Sequence, residues 1–79
     1  MERRFVLIMG HLINLNLIAF VKPNPLNEGM ITISFCSDRV WIDLKIDFSD
    51  WVEFYEYAIR EGSLVKYETY LAEKNHLYK

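Results

Sequence analysis

The side chains that could carry chemistry are few and far apart in the sequence. Cys36 is the only cysteine, and His11 and His76 are the only histidines. A nucleophilic mechanism needs a thiol or hydroxyl beside a base, and a structural metal site needs several ligands at short spacing. No such signature surrounds these three residues. We therefore predict a protein without catalytic activity, cofactor or metal.

Neighbouring carboxylates occur at Asp43, Asp47 and Asp50, as a general acid–base pair would require. A chain of 79 residues, however, offers little room for a cleft that excludes water. The carboxylates therefore do not change the prediction that the protein is not an enzyme. The single cysteine fits a reducing compartment, so we expect the protein in the cytoplasm.

Trp41 is the side chain that most strongly suggests contact with another protein. Alternation along residues 40–46 places Trp41, Asp43 and Lys45 on one face, and Arg39 directly precedes the run. A large aromatic ring among charged neighbours has the composition of an interface anchor. The alternative hypothesis is that Trp41 packs over the first strand or beneath the loop at residues 22–29.

The tyrosines form the second set of candidate contacts. A tyrosine combines an apolar ring with a polar tip, which suits contact surfaces. We expect Tyr57 and Tyr70 to be the most exposed of the five tyrosines, and we add them to the candidate partner-binding residues. The alternative hypothesis is that the tyrosines complete the core and its boundary.

Charge is unevenly distributed along the chain. The formal net charge is −2, and residues 38–61 carry seven acidic side chains against three basic ones. This segment either steers a basic partner or forms a solvated helix face. No segment is basic enough to predict phosphate binding, so stacking of single-stranded nucleic acid on Trp41 is the weaker hypothesis.

The stretch from residue 5 to residue 21 has no formal charge and approaches a membrane helix in length. Polar residues and a glycine interrupt it: Gly10, His11, Asn14 and Asn16. Residues 13–17 alternate with period two, as a half-buried strand does. Of three interpretations (β-strand, membrane helix and buried helix) the alternation favours the strand, and we expect no membrane association.

Gly10 allows two arrangements of this β segment. A bulge at Gly10 would give one bent strand over about residues 3–21. A two-residue turn at Gly10 and His11 would instead give two strands joined as a hairpin. We favour the bent strand because no other turn-forming residue flanks Gly10.

Two further runs predict a β-hairpin. Residues 30–36 and 40–46 both alternate between apolar and polar side chains, and a short polar turn joins them. Residues 22–29 precede the hairpin and contain two prolines, two asparagines and a glycine, which indicates a loop.

Helical spacing begins after residue 50. Asp50 stands at the position of an N-cap with Glu53 three residues later, as in a capping box. Aromatic and aliphatic residues then fall on one side: Trp51, Phe54, Tyr55, Ala58 and Ile59. Gly62 predicts the end of this helix.

A second helix is predicted over residues 64–76, with Leu64, Tyr67 and Leu71 on its apolar side. We therefore expect a single α+β domain over residues 1–79. In it, three antiparallel strands, or four if Gly10 and His11 form a turn, are followed by two helices packed on one face.

Without a catalytic motif, we expect a small protein-binding module that occludes a partner surface as an inhibitor, regulator or accessory subunit. A phage-type inhibitor of a host machine has this profile. The alternative hypothesis is a structural homo-oligomer or assembly subunit, such as a homodimer. No small-molecule substrate is predicted.

Overall fold

The chain folds into an α+β structure with six strands and two helices in the described residues, which are 4–37 and 39–77 of this computed structural model. The strands are β1 (Phe5–Ile8), β2 (His11–Asn14), β3 (Ile18–Pro23), β4 (Ile31–Phe35), β5 (Trp41–Leu44) and β6 (Leu64–Lys66). The helices are α1 (Phe48–Glu61) and α2 (Tyr67–Leu77), and a short 3-10 helix spans Leu15–Leu17.

The strands form two sheets, not the single sheet predicted. The first sheet has the order β2-β1-β6, with β1 antiparallel to β2 and parallel to β6. The second has the order β3-β4-β5 and is antiparallel throughout. The 3-10 helix separates them: Asn14 Oδ1 accepts the Asn16 N–H at 2.9 Å, which closes a local turn in place of a continuous strand.

The apolar opening stretch forms a hairpin, so the predicted bent strand is wrong. Ile8 pairs with His11, which places the two-residue turn at Met9 and Gly10, one residue before the alternative position. Both turn residues have positive φ, 48° at Met9 and 80° at Gly10, as a type I′ turn requires. Among the described residues, no helix is long and apolar enough to cross a membrane.

The predicted hairpin over residues 30–36 and 40–46 is confirmed as β4 and β5. Thr32 pairs with Asp43, and Ser34 pairs with Trp41. Its inner side chains include Ile31, Ile33 and Leu44, all buried, as the alternation predicts. Asp38, in the predicted turn, lies outside the described residues.

Helix α1 begins at Phe48, so the predicted capping box at Asp50 is wrong. Asp47 occupies the N-cap position, because its extended backbone ends the segment that leaves β5. Asp50 lies in the first turn, where a carboxylate is favoured by the helix dipole. Trp51, Phe54 and Ala58 are buried as predicted. The helix ends before Gly62, also as predicted.

Helix α2 begins three residues later than predicted, because residues 64–66 form β6. Val65 pairs with Val6 of β1, and both side chains are buried. Leu64, predicted on the apolar side of a helix, is 57% exposed. The later start brings Tyr70 into the core.

One hydrophobic core joins the inner faces of both sheets to α1 and α2. Its largest fully buried side chains come from β1, β4 and α1: Val6, Ile8, Ile31, Ile33 and Phe54. The chain measures 41 × 34 × 19 Å, so it is thin in one direction. Both helices take part in this shared core, while large apolar side chains on the outer faces of the sheets remain exposed.

Candidate binding face on the second sheet

The outer face of the second sheet carries two rows of paired side chains. Phe20, Ser34 and Trp41 form one row across β3, β4 and β5. Lys22, Thr32 and Asp43 form the next row. A register shift between Ile18 and Phe20 brings Phe20 opposite Ser34. We call these six residues the Trp41 face.

Phe20 and Trp41 stand on either side of the small residue Ser34. Two strand spacings separate their backbones, or about 9.6 Å. Side chains stand roughly perpendicular to a sheet, so the two rings form the walls of a cleft with Ser34 at its floor. The cleft has a volume of about 390 Å³, and Phe20 and Trp41 are 51% and 60% exposed.

A hydrogen-bond network fixes the end of the cleft next to the loop at residues 24–30. Thr32 Oγ1 donates to Asp43 Oδ1 at 2.6 Å. The Asn24 amide nitrogen donates to Thr32 Oγ1 at 3.3 Å and to Asp43 Oδ1 at 3.4 Å. Asn24 Oδ1 in turn accepts the backbone N–H of Leu26 at 2.9 Å. The network therefore holds the loop against the sheet and presents Leu26, which is 89% exposed, at the cleft.

The predicted residues around Trp41 do lie near one another. Trp41 and Asp43 belong to the Trp41 face, so the alternative in which Trp41 is packed away is wrong. Arg39 is exposed in the preceding turn with φ 58°, and Lys45 is exposed directly after β5. Their role in binding stays a prediction.

Tyr57 and Tyr70 lie elsewhere, between α1 and α2. Tyr70 is only 7% exposed, so its predicted exposure is wrong, and Tyr57 is half-buried. The rings lie 5.1 Å apart between centroids. The Tyr70 ring also packs on Phe54 at 5.4 Å. The cause is the phase of α2: its start at Tyr67 directs Tyr70 towards α1.

Polar groups around these tyrosines connect the two helices. The Tyr57 hydroxyl donates to Glu73 Oε2 at 2.6 Å. Glu53 Oε2 accepts from Lys74 Nζ at 2.9 Å and from the Tyr70 hydroxyl at 3.2 Å. Of the acidic residues of α1, Glu53 therefore binds α2. Of the described acidic residues within 38–61, only Asp43 lies on the Trp41 face.

The surroundings of these side chains raise the pKa values of three tyrosines and lower the pKa of Glu53. The hydrogen bond to Glu73, followed by burial, raises the pKa of Tyr57 to about 12. Burial raises the pKa of Tyr67 and of Tyr70. Lys74 lowers the pKa of Glu53. At neutral pH the phenols therefore stay protonated and Glu53 stays ionised, which suits an interhelical clamp.

Sequence reasoning missed Phe20, Lys22, Asn24 and Leu26 as parts of the site. The available signal was the order Phe20-Val21-Lys22, which places Phe20 and Lys22 on the face opposite Val21. The continuous apolar run before Lys22 concealed it.

No group of three or more metal-binding side chains occurs in the part of the chain that the structure describes. Comparison with protein-family models, with curated proteins and with solved structures gives no match.

Proposed function

We propose that the protein is a binding module without chemistry of its own, which covers a surface of another protein with its Trp41 face. One observation carries the proposal: Trp41 and Phe20 stay about half exposed or more on both sides of a cleft with polar groups at its floor and end. Aromatic anchors of this kind dominate the energy of many protein interfaces. Such a module acts as an inhibitor, regulator or accessory subunit.

The same proposal includes the cytoplasm as the working compartment. Cys36 is exposed and unpaired. An exposed free thiol persists in a reducing compartment and is oxidised readily elsewhere.

A photo-cross-linking amino acid at position 41 tests the proposal. The labelled chain is mixed with an extract of its source cells, and position 52, which is 36% exposed on α1, is the control. Position 41 should yield discrete cross-linked products that unlabelled chain competes away and that position 52 lacks. Equal products at both positions would refute the proposal.

The variant Trp41→Ala provides an independent measure once a cross-linked partner has been isolated. Loss of an aromatic anchor should weaken binding by about 2 kcal/mol, or about thirtyfold. The circular dichroism spectrum should stay unchanged because Trp41 is 60% exposed. Loss of the folded spectrum would show that Trp41 supports the core instead.

The outer face of the first sheet supports a second candidate function, self-association. Leu7, Leu12 and Leu64 are 36%, 64% and 57% exposed on its three strands. The accessible surface is 5870 Å². A monomeric protein of 9.5 kDa exposes about 5,000 Å² by the usual scaling. The excess is close to the roughly 800 Å² that one partner buries in a standard interface.

Light scattering over a range of concentrations tests this second candidate. A dimer that Leu12→Lys dissociates would support it, since a charge at the centre of the apolar face opposes burial. A monomer at every concentration would exclude it.

A further inference from the structure

We propose that the cleft of the Trp41 face takes a proline-rich segment in the polyproline II conformation that carries a basic residue. This inference rests on the proposed protein-binding function and specifies the chemistry of the partner.

The apolar lining of the cleft favours an apolar ring. Phe20 and Trp41, which are 51% and 60% exposed, lie on either side of Ser34, and Pro25 and Leu26 complete the apolar lining. Aromatic-lined grooves bind polyproline II segments in this manner, with little ordering cost for the ligand.

The hydrogen-bonding groups of the cleft match the same ligand. A polyproline II segment has no internal hydrogen bonds, so its carbonyl groups need donors, and its proline residues offer no N–H. Trp41 and Ser34 line the cleft, and their indole N–H and hydroxyl groups are hydrogen-bond donors. Donors between apolar walls are therefore what such a segment requires.

Charge decides which residue accompanies the prolines. Lys22 Nζ lies 5.9 Å from the centre of the Phe20 ring and is engaged there. Asp43 accepts its hydrogen bonds through Oδ1. The other carboxylate oxygen, Oδ2, has no hydrogen-bond partner among the described residues, so it is available to a lysine or arginine of the ligand. One cation beside one anion does not favour a phosphate backbone.

NMR titration of the ¹⁵N-labelled full chain tests the inference. The two indole N–H signals provide an internal control, since Trp41 is 60% exposed and Trp51 is 3% exposed. The probes are decaproline, the same peptide with a central arginine, an alanine-glycine peptide of equal length and a ten-residue oligothymidine. Both proline peptides should shift the Trp41 signal saturably and leave Trp51 unchanged. The other two probes should shift neither.

Variants then locate the site. Ser34→Leu fills the floor and keeps both walls, and it should weaken binding by at least about tenfold. Val52→Ala on α1, where Val52 is 36% exposed and outside both outer sheet faces, should leave binding unchanged. The arginine peptide should bind more tightly than decaproline, by up to about fivefold for an exposed ion pair, and Asp43→Asn should abolish that difference.

Two results would overturn the inference: no saturable shift with proline peptides at millimolar concentration, or a shift with oligothymidine in their place. If cross-linking at position 41 succeeds while proline peptides fail, the binding function stands and only the proline ligand is rejected. If both fail, both are rejected.

Discussion

Replacing Val65 by Ala should destabilise the protein about twice as much as replacing Leu64 by Ala. The two residues are neighbours in β6 and point to opposite faces of the first sheet. Val65 is 6% exposed and pairs with Val6, whereas Leu64 is 57% exposed. In the helix predicted from the sequence, Leu64 would instead lie on the apolar side and be the costlier loss.

The magnitudes follow from the buried fractions. Val65→Ala removes two carbons that are almost fully buried, at about 0.8 kcal/mol each, and the cavity adds about 0.5–1 kcal/mol, for about 2–2.5 kcal/mol. Leu64→Ala removes three carbons of which less than half the surface is buried, for about 1 kcal/mol. These losses correspond to falls in Tm of about 8–20 °C and 4–8 °C.

Urea denaturation followed by circular dichroism measures both values in parallel. Total stability for a protein of this size is about 3–5 kcal/mol, so Leu64→Ala should retain about 2–4 kcal/mol and Val65→Ala about 0.5–3 kcal/mol. A Leu64→Ala loss equal to or larger than that of Val65→Ala would refute the parallel pairing of β6 with β1. It would support a helix from residue 64.

Three further predictions concern the turn and the interhelical clamp. Met9→Asn should raise the free energy of unfolding by about 0.5–1 kcal/mol, because Asn accepts the positive φ of 48° at this turn position better than Met does. An unchanged Tm would contradict the type I′ turn. The pKa of Tyr57 is raised to about 12 in the folded state, so its contribution to stability is complete below pH 10 and is lost as the pH rises to 12. Tyr57→Phe should therefore flatten the alkaline fall in stability measured by denaturation between pH 10 and 12, and an equally steep fall would show that the hydrogen bond to Glu73 is not its source. The pKa of Glu53 is lowered, so Glu53 stabilises above about pH 4.5 and loses this effect as the pH falls through its folded value. Glu53→Gln should accordingly be less stable than the wild type at pH 7 and approach it in acid, whereas a pH-independent difference would indicate lost packing.

The longest amphipathic patterns were predictable from the sequence. The hairpin of β4 and β5 was predictable because apolar and polar side chains alternate over residues 31–35 and 42–46. A slip of one residue would expose Ile31 and Ile33. The buried side of α1 follows from Trp51, Phe54 and Ala58 at helical spacing.

Short and long-range elements were not predictable. β6 has three residues, too few to show a period, and its partner β1 lies almost sixty residues earlier in the chain. Parallel pairing of distant segments leaves no local trace in sequence. The bent strand was favoured over the hairpin for another reason: Met is an unusual residue at positive φ, so only Gly10 indicated the turn.

Only the part of the candidate site on β5 was predictable from the sequence. The alternation of β5 placed Trp41 and Asp43 on the outer face, and the pairing with Ser34 and Thr32 bears this out. Phe20 on the other wall depends on the register shift in β3, which arises from sheet pairing. The prediction that Tyr70 is exposed was wrong because residues 64–66 form β6, which the sequence did not reveal. The later start of α2 changes the side of the helix on which Tyr70 lies.

The two outer faces differ in a way that separates their proposed partners. The outer face of the first sheet presents Leu7, Leu12 and Leu64, with Asn14 and Lys66 as polar neighbours. An aliphatic surface offers no directional hydrogen bonds, which suits contact with a second copy of the chain related by symmetry. The Trp41 face combines aromatic walls with oriented donors and a carboxylate held by Thr32 and Asn24. Such groups discriminate among ligands, because a ligand that leaves them unpaired loses their hydrogen bonds. We therefore propose the Trp41 face, rather than the outer face of the first sheet, as the surface that recognises a different molecule.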